Sequence, residues 1–164
     1  MNELPHEGDF QVVSLNVSAR TGTRKRPVNS IRLMEGYGVK DDAHSGLLED
    51  RQVSLLAMEE LEKASESLSL SKCTKAAGIE KLSPGDFAEN ITTRGLQLHL
   101  LPIGARLEIG DAVLEVSKIG KECHAACEIR TLVGDCVMPR RGIFARVLRG
   151  GEVSCADSCH YRIG

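Results

Sequence analysis

The chain has 164 residues, a length suited to one domain, and 41% of them are hydrophobic, enough for a folded core. Aromatic residues make up only 3% and Trp is absent, so a core must come mainly from Val, Ile, Leu and Ala. That scarcity argues against single-stranded nucleic acid, which is bound on aromatic platforms, and a net charge of −2 offers no basic footprint for a duplex.

Residues 1–8 read as a flexible lead without the apolar stretch of a signal peptide. No run approaches the roughly 18 apolar residues of a membrane span, so a soluble, cytoplasmic protein with no membrane contact is expected. Gln11 to Val17 alternates Val13, Leu15 and Val17 with Ser14 and Asn16, the period of a strand. The run Arg24-Lys25-Arg26, between Gly22 and Pro27, reads as a solvated loop. Residues 31–34 suit a second strand. Turn formers then dominate through Glu35-Gly36-Tyr37-Gly38 and Asp41-Asp42-Ala43-His44-Ser45-Gly46, a loop whose polar groups suit a site. Gln52 to Leu56 suits a short strand. A helix is expected over about 55–68, where Ala57, Leu61, Ala64 and Leu68 share one face and Glu59, Glu60 and Glu62 suit the N-terminal dipole.

From residue 86 onward the pattern is mostly β. Ala88 to Thr92 reads as a strand. Two apolar runs, Ala105 to Ile109 and Ala112 to Ile119, flank Gly110-Asp111 as a hairpin would. Ile143 to Leu148 is another strand, and Gly150-Gly151 turns the chain into Glu152-Val153-Ser154. Short strands with one or two short helices predict a mainly β, barrel-like domain over 9–154, with 155–164 as a C-terminal tail.

Chemistry concentrates at Gly120-Lys121-Glu122-Cys123-His124-Ala125-Ala126-Cys127. A helix from Ala125 would put Cys123 at its N-terminus, where the dipole, His124 and Lys121 all favour the thiolate that sulfur transfer and soft-metal ligation require. The alternative is a buried structural cysteine, which is also the reading of the isolated Cys73 and Cys136. A second alternative is a structural zinc or thiol cluster in a non-catalytic interaction module, drawing on Cys123, Cys127, Cys155, Cys159 and His160. His44 sits among polar neighbours and is a candidate ligand or proton carrier. Arg51, Arg94, Arg140, Arg141 and Arg146 are scattered, and one that reaches a pocket would favour an anion. Asn90 would satisfy loop backbone or a ligand. Signatures of nucleotide-binding loops and zinc proteases are absent.

These stretches, in order, resemble the MOSC domain, the C-terminal part of molybdenum cofactor sulfurases, in its stand-alone bacterial form. The resemblance runs from about Asp9 to Val153 through Val13-Ser14-Leu15-Asn16-Val17-Ser18, the Asp42-Ala43-His44-Ser45-Gly46 loop, Arg51-Gln52-Val53-Ser54-Leu55-Leu56, Gly85-Asp86-Phe87-Ala88-Glu89-Asn90-Ile91-Thr92, Cys123 and Gly142-Ile143-Phe144-Ala145-Arg146-Val147. It implies a mainly β barrel-like fold and molybdenum cofactor (molybdopterin) binding or sulfur handling. Cys123 would be the persulfide carrier or molybdenum ligand, and His44, Arg51, Asn90, His124 and Arg146 the cofactor-binding set. Any sulfurtransferase activity would need a partner, a cysteine desulfurase or a molybdenum cofactor biosynthesis protein, because pyridoxal phosphate would belong to a separate desulfurase. The chain departs from the family at two common glycines, which are Asp41 and Ala88 here, and at Asp50, where a polar residue, often His, is usual. His44, Arg51, Asn90 and Cys123 are expected to converge on one pocket.

Overall fold

The computed structural model describes residues 3–20, 23–43, 45–68, 82–120 and 141–164. Among them are strands β1 (Glu7–Val17), β2 (Arg26–Val28), β3 (Ser30–Met34), β4 (Gly38–Val39), β5 (Val53–Ala57), β6 (Ile91–Arg94), β7 (Arg106–Ile109), β8 (Ala112–Ile119), β9 (Ile143–Arg149), β10 (Gly151–Ser154) and β11 (Cys159–Arg162), with helix α1 (Met58–Leu68) between β5 and β6. Seven strands run in the order β11-β7-β8-β9-β5-β6-β1, and pairing of β11 with β1 closes them into a barrel. Closure leaves these strands no raw edge. β5 and β6 are the parallel neighbours, which requires a crossover, and α1 supplies its start. A small sheet, β10-β3-β4, packs beside the barrel.

The eleven residues of β1 serve three partners: Glu7 to Phe10 pair with β11, Gln11 to Leu15 with β6, and Leu15 to Val17 with β2. Between Val12 and Ser14 the register shifts, and Val13 is turned out to 37% exposure. Such a bulge bends the strand and lets it follow the curve of a closing sheet. The interior is aliphatic, as the composition requires. Leu15, Leu55, Ile91, Leu107, Leu114 and Ile143 are fully buried, each contributing about 1.5–3 kcal/mol by burial. β7 and β8 form the expected hairpin, with Ile109 opposite Ala112 and Gly110 at φ +58, where a two-residue turn of this kind needs glycine.

Four expectations are corrected. The segment 155–164 is no tail: Cys159 and Tyr161 enter the core and β11 closes the barrel, a strand too short and too mixed in composition to stand out. The end of the expected lead, His6 to Gly8, is tied down, since β1 starts at Glu7 opposite Arg162 and Ile163 N–H donates to His6 O (2.7 Å). Helix α1 starts at Met58, because Leu55 to Ala57 are held in the ladder with β6. β6 starts at Ile91, because Ala88 adopts φ +62, which ends any extended run.

Candidate functional site

Leu15, Ile91 and Leu55 point into the barrel, so their neighbours Ser14, Asn16, Thr92 and Ser54 face outward by strand alternation. All four are nevertheless buried, as are Leu82, Phe87, Ala88 and Glu89 of the segment that precedes β6. The result is a polar layer. Asn16 Nδ2 donates to Glu89 O and Thr92 Oγ1 (both 3.1 Å), and Ser14 Oγ donates to Asn16 Oδ1 (2.7 Å). Asn90 Oδ1 accepts from Ser54 N–H (3.1 Å) and Ser54 Oγ (3.2 Å), while its Nδ2 donates to Asn16 O (3.2 Å). Asn90 therefore ties β1 to β5 at the point where β6 begins.

Two buried carboxyl groups sit beside this layer with pKa values shifted in opposite directions. Burial is the largest influence on Asp42 and would raise its pKa. It is outweighed by the Lys25 ammonium, the Ser18 amide and the Asn90 side chain, which together hold the pKa below its ordinary value. Lys25 Nζ donates to both Asp42 oxygens (2.8 and 3.0 Å), and both side chains have 0% exposure. Lys25 thus corrects the reading of residues 24–26 as a solvated run. Glu89 is fully buried and accepts from Phe87 N–H (3.2 Å) and Thr92 Oγ1 (2.8 Å). With burial dominant its pKa is pushed up to about 7.

Beside this layer stands a cationic group. Ser54 lies opposite Phe144 in the β5–β9 register, and the Arg51 guanidinium carbon lies 5.7 Å from the Phe144 ring centroid, within cation–π range. Arg146 follows Phe144 on the same face of β9 and pairs with Glu115 (3.3 Å). The Nε atoms of both Arg51 and Arg146 are buried and have no hydrogen-bond partner among the described residues. Gln52 Oε1 accepts from Val147 N–H (2.9 Å), and Asp50 O accepts from Ser117 Oγ (2.7 Å), so the chain entering β5 is fixed on both sides of Arg51. Asn90, Ser54, Phe144 and Arg51 are thus neighbours in turn, and Arg146 lies two residues along β9 from Phe144.

A family model for the MOSC domain matches residues 40–160. The chain belongs to the MOSC domain family. Crystal structures similar to it include the following three. The YuaD protein from Bacillus subtilis has TM-score 0.76 and 18% identity, covering 96% of this chain and 98% of its own. YiiM from Geobacillus stearothermophilus has TM-score 0.67 and 20% identity, covering 93% and 74%. YiiM from Escherichia coli has TM-score 0.67 and 18% identity, covering 94% and 69%. At these identities the likeness is one of fold. No curated protein sequence is matched.

The two positions where the sequence resemblance leads glycine to be expected share a backbone feature in this MOSC domain. Asp41 (φ 67) and Ala88 (φ 62) are the two non-glycine residues with positive φ among the described residues. The backbone there takes the form that glycine adopts freely, and a side chain is strained in it.

Of the residues nominated from sequence, His44, Cys123, His124 and Cys127 lie outside the described residues, as do Cys73, Cys136 and Arg140. Gly120 and Gly142, which bracket 121–140, are joined by a 2.8 Å backbone hydrogen bond where β8 ends and β9 begins. Arg94 and Arg141 sit elsewhere, paired with Glu62 (3.3 Å) and Glu60 (3.9 Å) beside α1. Cys155 is exposed, whereas Cys159 is a core residue whose thiol burial pushes up to about 11. No group of three or more metal-ligating side chains occurs among the described residues, and no described helix is long and apolar enough to cross a membrane. Sequence reasoning missed Lys25, Glu89 and Phe144. Glu89, an acid set between Phe87-Ala88 and Ile91, carried a usable signal. Lys25 carried none.

Proposed function

We propose that this domain binds the molybdenum cofactor through its phosphate-bearing, anionic end and handles sulfur through Cys123. The observation that carries this reading is the pair of buried, unpartnered Nε–H groups of Arg51 and Arg146. A buried donor without an acceptor costs about 1–3 kcal/mol, and an anion at this place supplies both the acceptor and the countercharge. The donor set therefore fits the group. Arg51 and Arg146 hold the anion, and Asn90 holds β5, which follows Arg51, against β1. His44 and His124 hold or move a proton near neutral pH, as imidazole does. When bound, the cofactor supplies a molybdenum centre open to a sulfur ligand.

Cys123 follows Gly120, the residue after β8, by three positions in the sequence. Its role is to carry sulfur as a persulfide, or to ligate molybdenum, from a thiolate favoured by Lys121 and His124. A cysteine desulfurase, or a protein of cofactor biosynthesis, serves as donor, and the exchange belongs in the cytoplasm. The zinc-stabilised interaction module is the weaker reading, because Cys159, one of its four thiols, lies in the barrel core as a protonated thiol. Metal analysis of protein from the native host separates the two: molybdenum with pterin supports the proposal, and stoichiometric zinc overturns it. Mass spectrometry after incubation with a cysteine desulfurase and cysteine tests the sulfur step. The expected result is a mass gain of one sulfur on Cys123, lost in Cys123→Ser. Loading of Cys123→Ser at the wild-type level would refute the carrier assignment.

A further inference from the structure

We propose that Lys25 and Asp42 are positioning residues: their buried ion pair clamps Asp42, Ala43 and Ser45 to the end of β1 and so sets the geometry beside Arg51, whose neighbour Gln52 meets Ser45 at Gly38, where a Cβ would lie 2.4 Å from Gln52 O and 2.9 Å from Ser45 Oγ. The inference deepens the anion-site reading and rests on it for the meaning of that geometry.

Three separate stretches of chain meet at one carboxylate. Ser18 N–H, at the end of β1, donates to Asp42 Oδ1 (3.0 Å), and Lys25 Nζ reaches both oxygens and also Ser18 Oγ (3.2 Å). The Asn90 side chain, at the start of β6, also helps to keep the Asp42 carboxylate ionised. The segments that bring these groups together are themselves pinned. Lys25 N–H donates to Gly85 O (2.8 Å), and a Cβ on Gly85 would lie 2.2 Å from Lys25 O, so no other residue fits at this crossing. On the far side of the clamp, Ala43 N–H donates to Ser18 O (2.9 Å) and Ser45 N–H to Asp42 O (3.2 Å). Ser45 Oγ also bridges Val39 N–H (2.8 Å) and O (2.6 Å).

A buried ion pair is a poor way to gain stability, since well-packed apolar residues of similar volume often do as well. What an apolar pair cannot do is receive directed donors from two other stretches of the chain, as Asp42 does from Ser18 and Lys25. The clamp is therefore an orienting device, and Lys25 is the countercharge that lets a carboxylate act as its hub in a dry place.

The test separates orientation from stability. The double variant Lys25→Met/Asp42→Leu removes both charges and keeps the packing. Its thermal midpoint is expected to stay near wild type, while amide exchange at Ala43 and Ser45 rises about a hundredfold and the amides of β5 and β9 keep their protection. Binding of inorganic phosphate, the probe for the Arg51–Arg146 site, is expected to weaken about tenfold. Unchanged protection at Ala43 and Ser45 in the double variant overturns the clamp. So does fast exchange at those two amides in the wild type, a result that needs no variant to fold. Wild-type protein with slow exchange at Ala43 and Ser45 but no affinity for phosphate supports the clamp and overturns the anion-site reading instead.

Discussion

The inner and outer faces of the same three strands obey different rules. On β1, β6 and β5 the inward residues Leu15, Ile91 and Leu55 are fully buried hydrocarbon, and their order follows from alternation alone. The outward residues Ser14, Asn16, Thr92 and Ser54 are also buried but polar, and they are held by partners up to 76 positions away in the chain. Burial by itself thus says little about a residue here. The inner face is tolerant in detail because dispersion and hydrophobic burial are non-directional. The outer face is intolerant because each buried donor and acceptor needs one particular partner.

The sharpest way to break the comparison is to remove one partner on the outer face. Asp42→Ala leaves Lys25 buried without its carboxylate and is expected to lower unfolding stability by about 3–5 kcal/mol in a urea titration. A loss below about 1 kcal/mol would mean that water reaches the pair and that the outer layer is not dry. On the inner face, Leu55→Ala leaves a cavity and is expected to cost about 2–5 kcal/mol, whereas Leu55→Met should cost below about 1.5 kcal/mol. A polar exchange of equal size on the outer face should not share that tolerance.

The two buried carboxylates sharpen the contrast through pH. Because the folded state raises Glu89 from its ordinary 4.5 to about 7, it keeps a proton that the unfolded chain has lost. Between those values the folded state binds more protons, so stability falls as pH rises and levels off above 7, by at most about 3 kcal/mol. Asp42 acts with the opposite sign: its lowered pKa gives stability that is present above its ordinary 3.8 and lost as pH falls through the lower folded value. Glu89→Gln should flatten the decline between pH 4.5 and 7 and leave the acid limb intact. A variant that keeps the full decline would show that another group carries it.

The smallest expected effect concerns the strained backbone. Ala88→Gly should stabilise by about 0.5–1 kcal/mol, since relief of positive-φ strain exceeds the entropy of glycine by that margin. Asp41→Gly should gain less, because Asp tolerates this conformation better. Destabilisation of Ala88→Gly would mean that its buried methyl packs more strongly than the backbone is strained.

The same contrast governs what could be read from the chain. Alternation located β3, β5, the β7–β8 hairpin and β9 to within a residue or two, and a barrel followed from their number and shortness. The closing strand β11 escaped because Cys159-His160-Tyr161-Arg162 has no aliphatic run, and its strand character comes from pairing with β1 and β7. The outer layer was legible only as blocks of resemblance, without the roles inside them. The glycine replacements at Asp41 and Ala88 were visible as departures, but their positive φ was not. Lys25 looked solvated because its carboxylate partner lies 17 positions further along the chain.

The most direct measurement is the pterin-to-protein ratio of the domain isolated from its native host, compared with Arg51→Gln/Arg146→Gln. Arg149→Gln serves as control, since Arg149 Nε donates to Asp111 O on the exposed surface. Pterin should accompany the wild type and Arg149→Gln and fall about tenfold or more in the double variant, with the fold and thermal midpoint retained. Equal pterin in the double variant and the wild type, or none in either, would contradict an anion site at Arg51 and Arg146.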